Sequence, residues 1–170
     1  MIPNILTLLR IALTVVFSGF YLRGETQIAF VIFLIACITD VLDGYIARRF
    51  DMITDFGKLV DPFADKFMVL TSLFCFIVKG KINIWYFYIL LVKEILLIVF
   101  ALLILKDHTV VFSKNFGKLS SLLINLGIFS VLLSNEVFGN VFIITGIVCA
   151  VIGVLQYALN FVDIKLFWRK

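Results

Sequence analysis

The chain has 170 residues, 63% of them hydrophobic, and a mean hydropathy of +1.16. Soluble domains are roughly 45–50% apolar, so this composition excludes an ordinary soluble globule and points to an integral membrane protein of one domain, residues 1–170. The formal charge of +4 specifies no partner by itself; the expected surroundings are membrane lipids, with no nucleic acid.

Six apolar spans are expected: roughly Ile5–Leu22, Gln27–Arg48, Lys58–Val78, Ile82–Leu105, Phe116–Leu133 and Phe138–Phe161. Each is long enough to cross a hydrocarbon layer of about 30 Å as a helix. The connections are short, which predicts antiparallel neighbours, and no repeat or low-complexity tract is present. Cys37, Cys75 and Cys149 each sit inside an apolar run without metal-ligand spacing, and read as small buried hydrophobes.

The first segment, MIPNILTLLRIALTVVF, has the greasiness of a signal peptide, but Arg10 interrupts it and no small-residue cleavage site precedes Arg23–Glu25. It is expected to stay in the mature protein. Pro3 can open a helix at its first turn, where its missing N–H costs nothing. Asn4, Thr7 and Arg10 then recur every third residue. This stripe serves either as an interfacial anchor with a snorkelling arginine or as one wall of a polar cavity; we expect the second.

The second and third spans hold the stretch DVLDGYIARRFDMITDFGKLVDPFADK, Asp40 to Lys66, with six of the eleven acidic residues. Asp40, Asp43, Gly44, Ala47 and Arg48 fall on one helix face at i, i+3, i+4, i+7 and i+8. Gly57, Asp61, Ala64 and Asp65 do the same at i, i+4, i+7 and i+8. Pro62 is expected within the first turns of the third helix, where proline is tolerated. Two antiparallel helices joined on one side would bring the acidic faces together at the membrane boundary.

One Asp near the middle of a spanning helix costs ~2.5–3.5 kcal/mol on insertion scales, less at the interface. Four on converging faces repel one another, and Arg48 and Lys66 offset only part of that charge. One or two divalent cations are the economical compensation, and oxygen-only ligands favour Mg²⁺, Mn²⁺ or Ca²⁺ over zinc. A salt-bridged rim without catalysis would also place acids here, but without strict helical register. Asp40–Lys66 thus reads as a divalent-metal and nucleotide-pyrophosphate site.

In the fourth span, Lys93 and Glu94 lie deep among apolar residues. Adjacent helix positions point apart, so the two are expected to reach different partners lining a polar interior; the alternative is a buried pair satisfied by other helices. His108, the only histidine, is expected to be solvated in the following loop. Lys114 and Lys118, at i,i+4 around Gly117, are either ordinary cytoplasmic charge or a phosphate site at a helix N-terminus. Orientation follows from Lys and Arg: with six spans, eleven lie on the side of the termini and three on the other, with Lys93 between. Both termini and the acidic stretch are therefore expected in the cytoplasm.

Asp40-x2-Asp43-Gly44-x2-Ala47-Arg48-x8-Gly57-x3-Asp61-x3-Asp65 matches in full the signature of the CDP-alcohol phosphatidyltransferase family, which the chain resembles over most of its length. Pro3-Asn4-x-Leu6-Thr7-x2-Arg10 and Asp61-Pro62-x-Ala64-Asp65-Lys66 look like the phosphatidylglycerophosphate synthase branch; the second motif also looks like the cardiolipin synthases. The resemblance implies six transmembrane helices around a polar, cytoplasm-facing cavity, in an all-α homodimer; the Ile-, Phe- and Lys-rich composition points to a bacterial source, hence the bacterial cytoplasmic membrane. It implies transfer of a phosphatidyl group from CDP-diacylglycerol to an alcohol, with release of CMP. Asp40, Asp43, Asp61 and Asp65 would hold one or two Mg²⁺ or Mn²⁺ ions, and Asp65 would be the general base. Asp40, Gly44, Ala47, Arg48, Gly57 and Thr7 would bind the donor.

Glycerol 3-phosphate is the expected acceptor, its phosphate falling to Arg10, Lys93, Lys114 and Lys118. The branch usually has Arg-Glu where this chain has Lys93-Glu94, and Gly-Lys-x-Lys-Thr where it has Gly117-Lys118-Leu119-Ser120-Ser121. Phosphatidylglycerol or another alcohol therefore remains an alternative acceptor. A cation transporter could use the same carboxylates, but no ionisable path continues to the opposite face. A catalytically dead metal-binding protein would not need the intact signature.

Overall fold

A computed structural model describes residues 2–49, 55–107 and 114–167. The described residues form six helices and no strand: α1 (Ile2–Arg23), α2 (Thr26–Arg49), α3 (Asp55–Val78), α4 (Ile84–Asp107), α5 (Lys114–Leu132) and α6 (Glu136–Phe167). Each coincides with one expected span, and the ends are set by local chemistry. After α1, Gly24 takes φ +92°, its N–H donates to the Tyr21 carbonyl at 3.0 Å, and the Glu25 N–H donates to Phe20 at 3.1 Å. After α3, Gly80 takes φ +69°, with its N–H on Ile77 (2.9 Å) and the Lys81 N–H on Phe76 (2.9 Å). Both are Schellman ends, in which a left-handed glycine satisfies carbonyls that would otherwise be orphaned. The Asn83 side chain then accepts from the Trp85 N–H at 3.0 Å and caps α4.

Pro62 is inside α3, two turns from its start, within the first turns as expected but beyond the very first. There its missing N–H leaves the carbonyl four residues back without an intrahelical donor.

The helices divide into two compact units, the first built on α1–α3 and the second on α4 with most of α5 and α6. In the first, α1 is the central element. Its positions 7, 10, 14, 17 and 21 are buried, a 3-4-3-4 spacing that makes one stripe along a helix. The upper part of the stripe is aromatic. Phe17 stacks on Tyr21 (5.9 Å between centroids) and meets Phe33 of α2 (5.7 Å), and Tyr21 meets Phe76 of α3 (5.1 Å). The lower part is polar: Thr7, Arg10 and Thr14.

The outer surfaces of these helices are apolar, with Ile5, Leu8, Val15, Val31, Val41 and Phe63 all exposed. A soluble protein buries such residues and exposes its arginines; this arrangement suits hydrocarbon as solvent. Buried hydroxyls turn back on their own helices, Thr14 to the Arg10 carbonyl (2.8 Å), Thr39 to Ala36 (2.7 Å) and Ser72 to Met68 (2.8 Å). No water is needed to satisfy them. Among the described residues, the windows Ile5–Arg23 and Glu136–Gln156 are long and apolar enough to cross a membrane, and Thr26–Leu42 and Phe116–Leu132 are shorter apolar helices. The charged first half of α3 (Asp55, Lys58, Asp61, Asp65 and Lys66) keeps it below that measure.

In the second unit, α5 and α6 run antiparallel and meet where side chains are smallest. A Cβ on Gly127 would lie 2.6 Å from Ile143 Cγ1, and one on Gly146 would lie 2.7 Å from Ile124 Cγ1 and 3.1 Å from the Ile124 nitrogen. Small residues let helices approach closely in lipid, where van der Waals packing rather than water expulsion holds them together. Replacing Gly146 by Ala therefore overpacks the contact against backbone. A loss of about 1–3 kcal/mol is expected, read as a lower midpoint of thermal unfolding in detergent; an unchanged midpoint would remove this contact as a stability determinant.

Candidate functional site

Three helices of the first unit bring their charges to one level. Helices α1 and α3 run in parallel: Thr7 meets Asp61, Arg10 meets Asp65 and Tyr21 meets Phe76, so partner numbers rise together. Helix α2 runs the other way, with Arg10 meeting Asp40 and Phe17 meeting Phe33. This packing carries the polar stripe of α1 to both acidic faces.

The contacts are short and specific. Thr7 Oγ1 donates to Asp61 Oδ1 at 2.5 Å. Arg10 Nη1 donates to Asp65 Oδ1 at 2.6 Å and lies 2.7 Å from Asp40 Oδ1. One guanidinium nitrogen thus joins carboxylates from two helices. Thr7 and Arg10 are fully buried, each 0% exposed, whereas the side chains of Asp40 and Asp65 remain 44% and 53% exposed. Burying an arginine is costly unless its charge is paired, and the two carboxylates supply that pairing. Both also keep open surface for a further ligand.

Of the expected site residues, Asp40, Asp61, Asp65, Thr7 and Arg10 come together. Asp43, Gly44, Ala47 and Arg48 follow Asp40 in α2, and Gly57 lies in the first turn of α3; their side-chain positions are outside the described residues. Among the described residues, no group of three or more His, Cys, Asp or Glu is disposed to hold a metal ion.

In the second unit, Lys118 is exposed near the start of α5, the Lys114 side chain is outside the described residues, and so is His108. The expectation that Lys93 and Glu94 reach different partners needs correction. Lys93 Nζ bonds Glu94 Oε1 at 2.6 Å, with both side chains 17% exposed. The two Cα–Cβ bonds do point apart, but a four-carbon lysine stem is long enough to fold back. In an apolar span, pairing costs less than two separate charges.

Spacing foresaw that the α1 stripe faces the carboxylates, but not which α1 residue meets which Asp. The fuller signal was available: Thr7 and Arg10 differ by three, Asp61 and Asp65 by four, and parallel helices in step will match such positions.

A family model described as CDP-alcohol phosphatidyltransferase matches residues 1–154. Among curated proteins, the chain is similar to a CDP-diacylglycerol–glycerol-3-phosphate 3-phosphatidyltransferase of Aquifex aeolicus. The two are 29% identical over 167 residues, covering 97% of this chain and 94% of that one. It is also similar to a probable phosphatidylglycerophosphate synthase of Mycobacterium tuberculosis, at 35% identity over 141 residues, 78% of this chain and 67% of the relative. A Pseudomonas fluorescens protein with the same name as the Aquifex one is 42% identical over 87 residues, 49% of this chain and 44% of its own length.

Proposed function

Because the chain belongs to the CDP-alcohol phosphatidyltransferase family, we propose that it transfers a phosphatidyl group from CDP-diacylglycerol to glycerol 3-phosphate and releases CMP. The observation that carries the reading is the gathering of Asp40, Asp61 and Asp65 around Arg10 and Thr7 at one end of α1. The relative from Aquifex aeolicus, covered over 94% of its length, is named for this donor and acceptor.

The chemistry of the donors is all carboxylate, hard oxygen that suits Mg²⁺ or Mn²⁺ rather than a soft metal; the described carboxylates do not by themselves make a metal-holding group, and Asp43 would complete one. Asp40, Asp61 and Asp65, with Asp43, would hold one or two such ions. When bound, they neutralise the pyrophosphate and the charge that develops on the leaving CMP. Gly44, Ala47, Arg48 and Gly57 would receive the nucleotide on the same faces of α2 and α3.

The reaction is one displacement at phosphorus. The acceptor oxygen forms a new ester bond to the phosphorus that bears the diacylglycerol. The bond from that phosphorus to the bridging oxygen breaks, and CMP leaves with that oxygen. Asp65 takes the hydroxyl proton. Arg10, bonded to Asp65 Oδ1, orients this carboxylate. Lys93, Lys114 and Lys118 are our candidates for the acceptor phosphate; Arg10, also expected there, is fully buried and bonded to Asp40 and Asp65, which leaves it to orient them.

Six membrane crossings, cytoplasmic termini and a homodimer complete the proposal. The lipid donor accounts for a site at the end of greasy helices: acyl chains stay in hydrocarbon while the headgroup reaches the carboxylates.

Purified protein given CDP-diacylglycerol, Mg²⁺ and a panel of acceptors is expected to release CMP fastest with glycerol 3-phosphate. Preference for phosphatidylglycerol would reassign the acceptor. No release with any alcohol would reject the transferase reading.

A further inference from the structure

Three contacts from α1 reach the carboxylates of this cluster: Thr7 to Asp61, and Arg10 to Asp65 and to Asp40. The ties are buried and the carboxylates are not: Thr7 and Arg10 are 0% exposed, against 44% for the Asp40 side chain and 53% for Asp65. The surface that the carboxylates keep open is therefore not the surface that α1 covers. Each tie also holds a single oxygen, Oδ1, of its carboxylate. A carboxylate held through one oxygen is restrained in orientation yet keeps further acceptor capacity, which is how outer-shell groups orient metal ligands.

We propose that Thr7 and Arg10 are positioning residues that set the separation and orientation of Asp40, Asp61 and Asp65, and through these the cluster's affinity for a divalent cation. The proposal rests on the reading of these carboxylates as metal ligands. It gives Arg10 a task that its charge alone would not. A cation beside a metal site repels the metal, so by charge alone Arg10 would weaken binding, and Thr7, which is neutral, would do nothing. Positioning makes the opposite demand: the hydroxyl matters, and so does the arginine's geometry at constant charge.

The variants that separate these cases are Thr7→Val, which swaps the hydroxyl for a methyl at nearly constant volume, Thr7→Ser, which restores the hydroxyl, and Arg10→Lys, which keeps the charge but changes its reach. The full chain in detergent would be titrated with Mn²⁺ alone, free ion being followed by electron paramagnetic resonance, with thermal unfolding to verify the fold. Thr7→Val and Arg10→Lys are each expected to lose about tenfold in Mn²⁺ affinity, the lower end of outer-shell effects. Thr7→Ser should stay close to wild type.

A folded Thr7→Val protein with wild-type Mn²⁺ affinity overturns the proposal, whatever Arg10→Lys does. Equal losses in Thr7→Val and Thr7→Ser overturn it too, since the hydroxyl is then not the cause. CMP release by the wild type is measured in parallel. A wild type that binds no Mn²⁺ overturns both this proposal and the metal reading. One that binds Mn²⁺ but turns over no acceptor rejects the reaction alone, and the variant series still decides positioning.

Discussion

Replacing Asp65 by Asn should lower the rate of CMP release on the order of 10³-fold, within the usual contribution of a general base. Shape and one acceptor oxygen survive the change, so Arg10 can still donate to the side chain as it now does to Asp65 Oδ1 at 2.6 Å. The bridge to Asp40 and the packing of α1 against α3 should hold. What disappears is the capacity to take a proton from the acceptor hydroxyl, together with one metal-ligand charge. The assay follows CMP release at saturating glycerol 3-phosphate, beside direct binding of CDP-diacylglycerol, which should persist in part. A variant that turns over at the wild-type rate would remove Asp65 as the base. Loss of donor binding equal to the loss of turnover would show that Asp65 serves substrate binding rather than proton transfer.

Chelation of divalent ions should abolish CMP release, and Mg²⁺ or Mn²⁺ should restore it. The reason is charge. Asp40, Asp61 and Asp65 stand within reach of Arg10 and Thr7, and the donor brings a pyrophosphate. Arg10 and the neighbouring Lys66 cannot balance three carboxylates and a dianionic linkage brought to one place. Added cations are needed both to admit the donor and to let CMP leave. Unchanged release after exhaustive chelation would exclude the metal reading, leaving the carboxylates to act as bases and hydrogen-bond acceptors only.

Much of this protein is legible in its sequence. The apolar runs mark the six helices, whereas the ends at Gly24 and Gly80 come from the structure, where only a residue without Cβ enters the left-handed region cheaply. The acids keep helical register, which is why Asp40, Asp61 and Asp65 are expected on facing surfaces. The start of α3 is less legible than its interior: the helix begins at Asp55, ahead of the expected span at Lys58, so Pro62 falls two turns in. The Lys93–Glu94 pair was missed because face rules describe where a side chain starts and not how far a flexible stem can bend.

Helical periodicity, a property of the local chain, therefore determines by itself that α1 carries a polar stripe and that α2 and α3 carry acidic ones. It does not determine how far one helix slides along another, and each residue of slippage moves a side chain by about 1.5 Å along the axis. Only the tertiary packing decided that register. The aromatic contacts of Phe17, Tyr21, Phe33 and Phe76 set three helices in step. With that step in place, Thr7 meets Asp61, and one nitrogen of Arg10 meets Asp40 and Asp65 together.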